Sequence, residues 1–463
     1  MRYIADLHIH SCYSRATAVS SHLHGLAAWA AIKGIDVIGT GDFTHPQWFQ
    51  ELNKYLEEAE AGFYRLKNPD EVDVSALVPP DVQPDLSGVR FVLSAEISSI
   101  YKRGGKVRKV HNILYAPDFE AVRRVSSVLA GIGNLESDGR PILGLDSRDL
   151  LEIMLDNGPD GFLVPAHIWT PWFSLFGSKS GFDTIEECFG DLSDHIFALE
   201  TGLSSDPDMN RRISALDRFT LISNSDCHSP GKLGREANIF DTGFDYYSMQ
   251  EAIRVPLSKD GHRRFTGTVE FFPEEGKYHC DGHRKCGICF DPLETSDYQG
   301  ICPECGRPLT IGVLNRVKEL ADRKKPKYSD SAAEVYSLVP LAEILGEILG
   351  VGPATKKVMK VYGRLIECFG SEFNVLLNAS VTDITDSCSW ALGEAIERVR
   401  SGRVIRQPGY DGEFGVIKVF SSDERQGMYE QISLFGVLAV KPRARKKQMN
   451  MKSPPVIRKR NKD

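Results

Sequence analysis

Seven short apolar runs, separated by amphipathic stretches, occupy the first 270 residues and leave the chain few architectures to adopt. The runs are Tyr3–Ile9, Ile35–Gly39, Arg90–Ile97, Lys109–Tyr115, Phe162–Ala166, Ile196–Leu199 and Thr220–Ser223. Their length and near-continuous hydrophobicity predict buried strands. Between them, Leu26–Ile32, Gln47–Leu56, Phe119–Leu129 and Leu150–Leu155 carry helical periodicity. Strands alternating with helices on this scale predict an α/β fold, either a doubly wound sheet or a barrel. A chain of 463 residues exceeds one such domain, so further modules are expected behind it.

Each run is followed, at or just beyond its end, by a residue type that ligates metals. These are His8 and His10, Asp42 and His45, Glu96, His111, His167, Glu200, then Asp226 and His228. In a parallel α/β barrel the carboxyl ends of the strands converge on one face, which would gather these side chains in one cleft. Imidazoles mixed with carboxylates suit Zn²⁺, Mn²⁺ or Fe²⁺, and a bridging carboxylate lets two ions sit close together. Taken singly, Glu200 reads as an ordinary exposed carboxylate. His22, His24, His195 and His262 lack a strand-end context and read as structural. The co-occurrence of Asp-Leu-His-Ile-His at residue 6 and Asn-Ser-Asp-Cys-His at residue 224 carries the weight.

In these motifs, residues 1–250 resemble the polymerase-and-histidinol-phosphatase (PHP) superfamily of metal-dependent phosphoesterases. The opening His-x-His-Ser stands as His8, His10 and Ser11, the single Glu and two His positions as Glu96, His111 and His167, and the closing Asp-x-His as Asp226 and His228. The usual Thr-Asp-His is split here into Thr40-Gly41-Asp42-Phe43-Thr44-His45, so Asp42 and His45 are alternatives for one ligand position. An acidic residue common after the first motif is replaced by Ser14-Arg15-Ala16. The resemblance implies a distorted (β/α)₇ barrel with two or three divalent ions (Zn, Mn or Mg). His8, Glu96 and Asp226 are its expected catalytic residues. Ions so held would lower the pKa of water toward ~7 and stabilise charge on a phosphoryl group during in-line attack.

Four of the ten cysteines form two Cys-x2-Cys pairs, Cys286 with Cys289 and Cys302 with Cys305. Thiolates at that spacing predict one structural Zn²⁺, with His279, Cys280 and His283 near enough to substitute. The pattern points to metal more than to disulfides, and so to a reducing cytoplasm. Residues 321–331 are polar and read as a linker.

Helical periodicity returns from residue 340. Ile344, Leu345, Ile348 and Leu349 form one apolar face, Gly350-Val351-Gly352 a tight turn, and Pro353 is expected at the first position of the next helix. The segment resembles a helix-hairpin-helix DNA-binding motif, with Gly350 and Gly352 admitting a phosphate and Lys356, Lys360 and Arg364 on one face. Residues 371–402 read as a degenerate second copy. Gln431-Ile432-Ser433-Leu434-Phe435 resembles a sliding-clamp-binding pentapeptide through Gln431, Leu434 and Phe435.

Charge is divided along the chain. The whole carries 56 Lys+Arg against 63 Asp+Glu, net −7, but residues 441–463 hold ten basic residues against one acidic. The remaining residues are therefore net −16. An acidic body with a +9 tail excludes a uniformly basic nucleic-acid coat, and the tail would add salt-dependent attraction to phosphates. No apolar run is long enough for a bilayer, so no membrane association is expected.

Together the modules run 1–270 (phosphoesterase), 271–325 (zinc), 326–405 (helix-hairpin-helix) and 406–463 (extension with clamp motif and basic tail). That order resembles the endonuclease Q family. The resemblance implies a DNA repair endonuclease cutting 5′ to deaminated bases (uracil, hypoxanthine, xanthine) and abasic sites, cytoplasmic and nucleoid-associated. It implies extrusion of the damaged nucleotide, for which the aromatic stretch after His167 is the expected contact, with Trp172 stacking and Ser178, Lys179 and Ser180 reaching phosphate. Two alternatives are a phosphatase of a small phosphorylated metabolite and a non-enzymatic adaptor linking DNA damage to the clamp.

Overall fold

The computed structural model describes residues 1–329 and 331–426. The clamp-like motif at Gln431, Leu434 and Phe435 and the basic tail lie outside the described residues.

The fold is mixed α/β, built on an eleven-stranded sheet. Arg2–Asp6 pairs in parallel with Val37–Gly39, which pairs in parallel with Arg90–Arg103. The next two steps reverse direction. Arg90–Arg103 and Lys106–Ala116 form one long antiparallel hairpin, and Phe162–Pro165 is antiparallel to the latter. Ala198–Glu200 and Thr220–Ile222 form a separate parallel pair. The chain beyond that pair returns to the first strand, where Ile9 bridges Cys227 and the Asp226 amide donates to the His8 carbonyl at 2.9 Å.

Each expected run is a strand, but the expected parallel alternation fails at Glu96 and His111. The cause is Gly104-Gly105, both at positive φ, which closes a two-residue turn between Arg103 and Lys106. Glycine pairs suit hairpin turns whose central residues need φ > 0. Glu96 and His111 therefore lie within strands, not at their ends.

Alternation along the strands fills the interior. Tyr3, Ala5 and Leu7, with Val37, Val92, Ile113, Tyr115, Val164, Ala198 and Ile222, belong to one buried apolar cluster. A second, larger cluster joins the sheet's outer face to its helices and to the C-terminal helical module. Strands not expected from the sequence, Ala237–Asp241, Phe265–Glu270 and Glu334–Ser337, extend the sheet from its first strand.

The segment expected as a linker is tied down. Arg323 and Lys327 donate backbone N–H groups to the Arg212 and Arg211 carbonyls, each at 3.1 Å, and Arg323 pairs with Asp217 at 2.6 Å. The helical module is anchored through Glu372, which is buried and ion-paired to Lys33 at 2.7 Å. The same carboxylate accepts from the Leu341 amide at 2.9 Å and the Tyr362 hydroxyl at 2.6 Å. These bonds satisfy a buried charge that would otherwise oppose docking.

Behind Thr201 and Ser223 lies a buried acid, Glu270, whose Oε2 accepts from both hydroxyls while Oε1 has no hydrogen-bond partner. Burial, then the nearby charge of Asp206, pushes its carboxyl from the ordinary 4.5 to about 8. Because the folded pKa is the higher one, stability falls as pH rises from about 4.5 to about 8. Glu270→Gln should therefore melt ~2 °C or more above the parent at pH 8, a gap that closes toward pH 4 in thermal unfolding.

Candidate metal centre

The strand parity that packs the interior also delivers the ligands. Glu96 shares the inward face of its strand with Val92, and His111 shares that of its strand with Ile113 and Tyr115. His8 and His10 come from the loop after Arg2–Asp6, His167 from that after Phe162–Pro165, and Asp226 from that after Thr220–Ile222. Asp42 (φ +51°), His167 (φ +27°) and Asp226 (φ +46°) hold left-handed backbone conformations. Strain of this kind persists where surrounding structure overdetermines it. Under His167 that structure is Gly202, where an added Cβ would come within 2.4 Å of the His167 Cβ.

Glu96 is fully buried at the middle. Its Oε2 lies 3.6 Å from His8 Nε2 and 3.2 Å from His10 Nε2, while its Oε1 lies 2.7 Å from His111 Nδ1 and 3.1 Å from His167 Nε2. Asp226 Oδ1 is 3.1 Å from His10 Nε2. Two candidate ligand sets result, His8/His10/Glu96/Asp226 and Glu96/His111/His167, and within each the ligand atoms lie within 4.8 Å of one another. Among the described residues His8 Nε2, His10 Nε2 and Asp226 Oδ1 are buried and close to one another but make no well-aligned hydrogen bond, as atoms facing a common cation would. The donor set fits divalent ions with Glu96 between them.

Burial disfavours charge on Glu96, but His111, Arg140 and His8 outweigh it and hold the carboxyl well below its usual range. Burial also opposes protonation of His8 and His10, yet Glu200 and Glu96 raise the first and Asp42 and Asp226 the second. For His111 burial outweighs the pull of Glu96 and pushes the imidazole down to about 4.

Not every expected ligand is gathered. Asp42 has its oxygens engaged by His10 Nδ1 at 3.0 Å, the Ser11 amide at 2.7 Å, and the Ser11 and Ser14 hydroxyls at 2.6 and 2.9 Å. It orients His10 and belongs to neither ligand set. His45 stacks on Tyr13 at 4.5 Å, and His228 lies against the His10 ring at 4.5 Å with Nδ1 3.0 Å from the Asp226 carbonyl. Neither joins a ligand set among the described residues.

Two residues of the centre escaped the sequence reading. Glu200, expected to be exposed, is fully buried and lies 3.0 Å from His8 Nδ1. It also accepts from the His167 amide and the Asn224 side chain, each at 2.8 Å. A carboxylate on the far nitrogen of a ligand histidine fixes its tautomer and orientation. Its position at the end of Ala198–Glu200 was the available signal. Arg140 donates to Glu96 Oε2 at 3.0 Å and remains 29% exposed, a cation at the mouth of the cluster.

The aromatic stretch after His167 is bound to the centre at one side and to helix Val313–Leu320, next to the cysteine module, at the other. The His111 amide donates to the Phe173 carbonyl at 3.1 Å, and the Ser174 hydroxyl donates to the His167 carbonyl at 2.6 Å. Arg316, buried on helix Val313–Leu320, donates to the Phe176 and Phe182 carbonyls at 3.1 and 3.2 Å. Trp169 and Phe176 are packed inside, whereas Trp172 is 38% exposed. Lys179 is exposed, but Ser180, expected to reach phosphate, is buried with its hydroxyl donating to the Lys109 carbonyl at 3.3 Å.

In the cysteine module the fourth ligand differs from expectation. His283, Cys286, Cys302 and Cys305 converge, with ligand atoms within 4.8 Å of one another. In the hairpin of Asp281–His283 with Ile288–Phe290, Cys289 opposes Gly282 and His283 opposes Ile288. Adjacent pairs project to opposite faces, so Cys289 turns away from His283 and hydrogen-bonds with Cys280. The signal was present, since His283-x2-Cys286 has the same spacing as Cys302-x2-Cys305. A tetrahedral zinc accepts either donor.

In the helical module Gly350 (φ +66°) ends Leu341–Leu349, and Thr355 caps Lys356–Phe369. Pro353 thus precedes the cap and does not occupy the first helical turn. Gly350, Gly352, Lys356 and Lys360 are exposed, and Arg364 is half-buried. Val381–Ser387 and Trp390–Arg400 form a second helical pair.

A family model described as the MJ0043 C-terminal domain matches residues 340–403. The chain is 33% identical over 276 residues to protein MJ0043 of Methanocaldococcus jannaschii, a match covering 58% of this chain and 33% of that one. The chain thus spans about a third of that relative. It is 28% identical to YqxK of Bacillus subtilis, covering 89% of this chain and 98% of that one. Among solved structures, it superposes on the lesion-specific endonuclease PfuEndoQ of Pyrococcus furiosus with a TM-score of 0.77 and 31% identity, covering 90% and 95% of the two chains. A complex of endonuclease Q with a 27-mer duplex bearing an abasic lesion at the active site matches with a TM-score of 0.76 and 30% identity, covering 91% and 98%.

Two measurements check the site. Glu200→Ala should weaken divalent-ion binding by roughly 10–100-fold in calorimetric titration, through loss of His8 orientation. For the cysteine module, Cys302→Ser should release zinc by mass spectrometry of the native protein, whereas Cys289→Ser should retain one equivalent.

Proposed function

The chain belongs to the endonuclease Q family of DNA endonucleases, and on that premise we propose that it hydrolyses the DNA phosphodiester 5′ to deaminated bases (uracil, hypoxanthine, xanthine) and abasic sites. The observation that carries the reading is the pair of ligand sets sharing Glu96, set in a chain that matches the lesion-bound endonuclease over nearly its whole length. The strand path, closed by the Ile9–Cys227 bridge, supports a distorted (β/α)₇ barrel of the PHP type.

Divalent ions held by His8, His10, Glu96, Asp226, His111 and His167 would supply Lewis acidity toward the phosphoryl group and activate water. The protein's own residues set the geometry. Glu96 places one oxygen toward each ligand set, Glu200 and Asp42 hold His8 and His10 in fixed tautomers, and Arg140 offers N–H donors beside the position of a phosphate. The exposed Gly350-Val351-Gly352 turn with Lys356 and Lys360 serves as a second phosphate contact, distant in sequence, that holds the flanking duplex. A site of this chemistry belongs with the nucleoid in the cytoplasm. Among the described residues no helix is long and apolar enough to cross a membrane.

End-labelled duplexes carrying one deoxyinosine, deoxyuridine or abasic site, incubated with protein and Mg²⁺ or Mn²⁺, should be nicked once on the 5′ side of the lesion. Asp226→Ala should lower the rate by ~100-fold or more. Release of inorganic phosphate from a small monoester, with no lesion-dependent nick, would overturn the reading.

A further inference from the structure

Phe414 is 70% exposed, more than any other aromatic side chain among the described residues. Scattered exposed apolar residues are ordinary, but this one is displayed on a fixed frame. It lies in the turn between strands Ile405–Gln407 and Val416–Lys418, with Asp411 and Gly412 at positive φ. The flanking backbone is bonded on both sides. Gly409 donates to the Glu274 carbonyl at 2.8 Å, Gly415 to the Glu275 carbonyl at 3.1 Å and Gly412 to the Lys277 carbonyl at 2.9 Å, while Cys280 donates to the Gly409 carbonyl at 3.0 Å. An apolar ring is thus held toward water by a backbone with little freedom to withdraw it.

The ring also stands at the outer end of a line of residues, joined partly by ring contacts and partly by sequence adjacency, that leads from the candidate metal centre. The Phe173 ring lies 4.9 Å from the His111 ring. Its neighbour Trp172 meets Tyr278 edge-on at 5.7 Å, and Lys277, adjacent to Tyr278, sets its ammonium 4.4 Å from the Phe414 ring. Lys277 is exposed beside it, and the exposed Arg284 is tied to the same turn by the hydrogen bond from its backbone amide to Asp411, against the exposed Glu413. Aromatic faces interleaved with cations suit unstacked bases on a phosphate backbone, since every base offers a π-face and every phosphate a negative charge.

We propose that Trp172, Tyr278 and Phe414 form a base-contacting strip, in which Phe414 packs against a base of the strand opposite or flanking the lesion and supports the opened duplex. The occupant is an unstacked DNA base, favoured by the surrounding cations over an apolar protein segment. The inference rests on the reading of the chain as a lesion-directed endonuclease and adds to it the surface that stabilises the distorted DNA. Side chains inserted beside a base step lower the cost of opening it.

The test uses the full chain carrying Asp226→Ala, so that DNA stays uncut, and a duplex with one abasic site and 2-aminopurine at the neighbouring or opposite position. The parent should bind the lesion duplex and change the probe's fluorescence. Adding Phe414→Ala or Phe414→Leu should weaken lesion binding by about tenfold, with undamaged duplex little affected, and return the fluorescence toward that of free DNA. Phe414→Trp should restore both. As the ring is exposed, melting temperature should not change. If the parent binds the lesion duplex and Phe414→Ala matches it in affinity and fluorescence, the strip is disproved while the endonuclease reading stands. If Phe414→Ala instead changes only the sedimentation of the free protein, the patch joins copies of the chain and the proposal fails. If the parent itself shows no preference for the lesion, the endonuclease reading fails first.

Discussion

One buried carboxylate sets the terms for the rest of the molecule. Glu96 has no access to water, and its two oxygens face four imidazoles and a guanidinium. A lone carboxylate so placed would be strongly disfavoured. It is tolerated only because positive or cation-binding groups surround it, and those groups arrive from separate stretches between residues 8 and 226. The sheet must therefore bring its segments within a few ångströms of one point. The hairpin at Gly104-Gly105 makes this possible, because it places Glu96 and His111 on adjacent strands with His111 paired to Ser98, two residues from Glu96 on the same face.

Ligands held that tightly also need orientation from outside. Glu200 behind His8 and Asp42 behind His10 are both buried and multiply bonded, so each imidazole is hydrogen-bonded to a carboxylate that is itself fixed in place. Positive φ at Asp42, His167 and Asp226 marks where chain direction was given up to aim a side chain. The replacement of an acidic residue by Ser14 has a direct consequence. Its hydroxyl lies 3.2 Å from His10 Nδ1 and donates to Asp42, so this corner reinforces the first ligand set.

Legibility in the sequence followed the range of the forces involved. Apolar runs report burial directly, and each is a strand, six of the seven within three residues of the expected bounds and the run from Arg90 extended to Arg103. Of the six candidate ligands, His8, His10, His167 and Asp226 are legible because loops after strands converge whatever the loops contain, whereas Glu96 and His111 reach the centre from within strands. Direction was not legible from hydrophobicity alone, and Gly104-Gly105, the local signal that reverses it, was passed over. Glu200 was misjudged because a carboxylate looks the same in sequence whether it meets water or an imidazole. Cys289 was misjudged because pair spacing ignores which face of a hairpin each residue takes, a distinction that appears only once His283 and Ile288 are set in register.

The cysteine module gains a role from these contacts that its composition does not disclose. Small units with little apolar surface to bury commonly rely on a metal to keep one shape, and His283, Cys286, Cys302 and Cys305 offer a site for one. Helix Val313–Leu320 then holds the aromatic stretch after His167 through Arg316, and the neighbouring Tyr278 meets Trp172. That stretch in turn bonds to the backbones of His111 and His167. Loosening of the cysteine module would therefore loosen a loop that touches two candidate metal ligands more than 100 residues away in sequence.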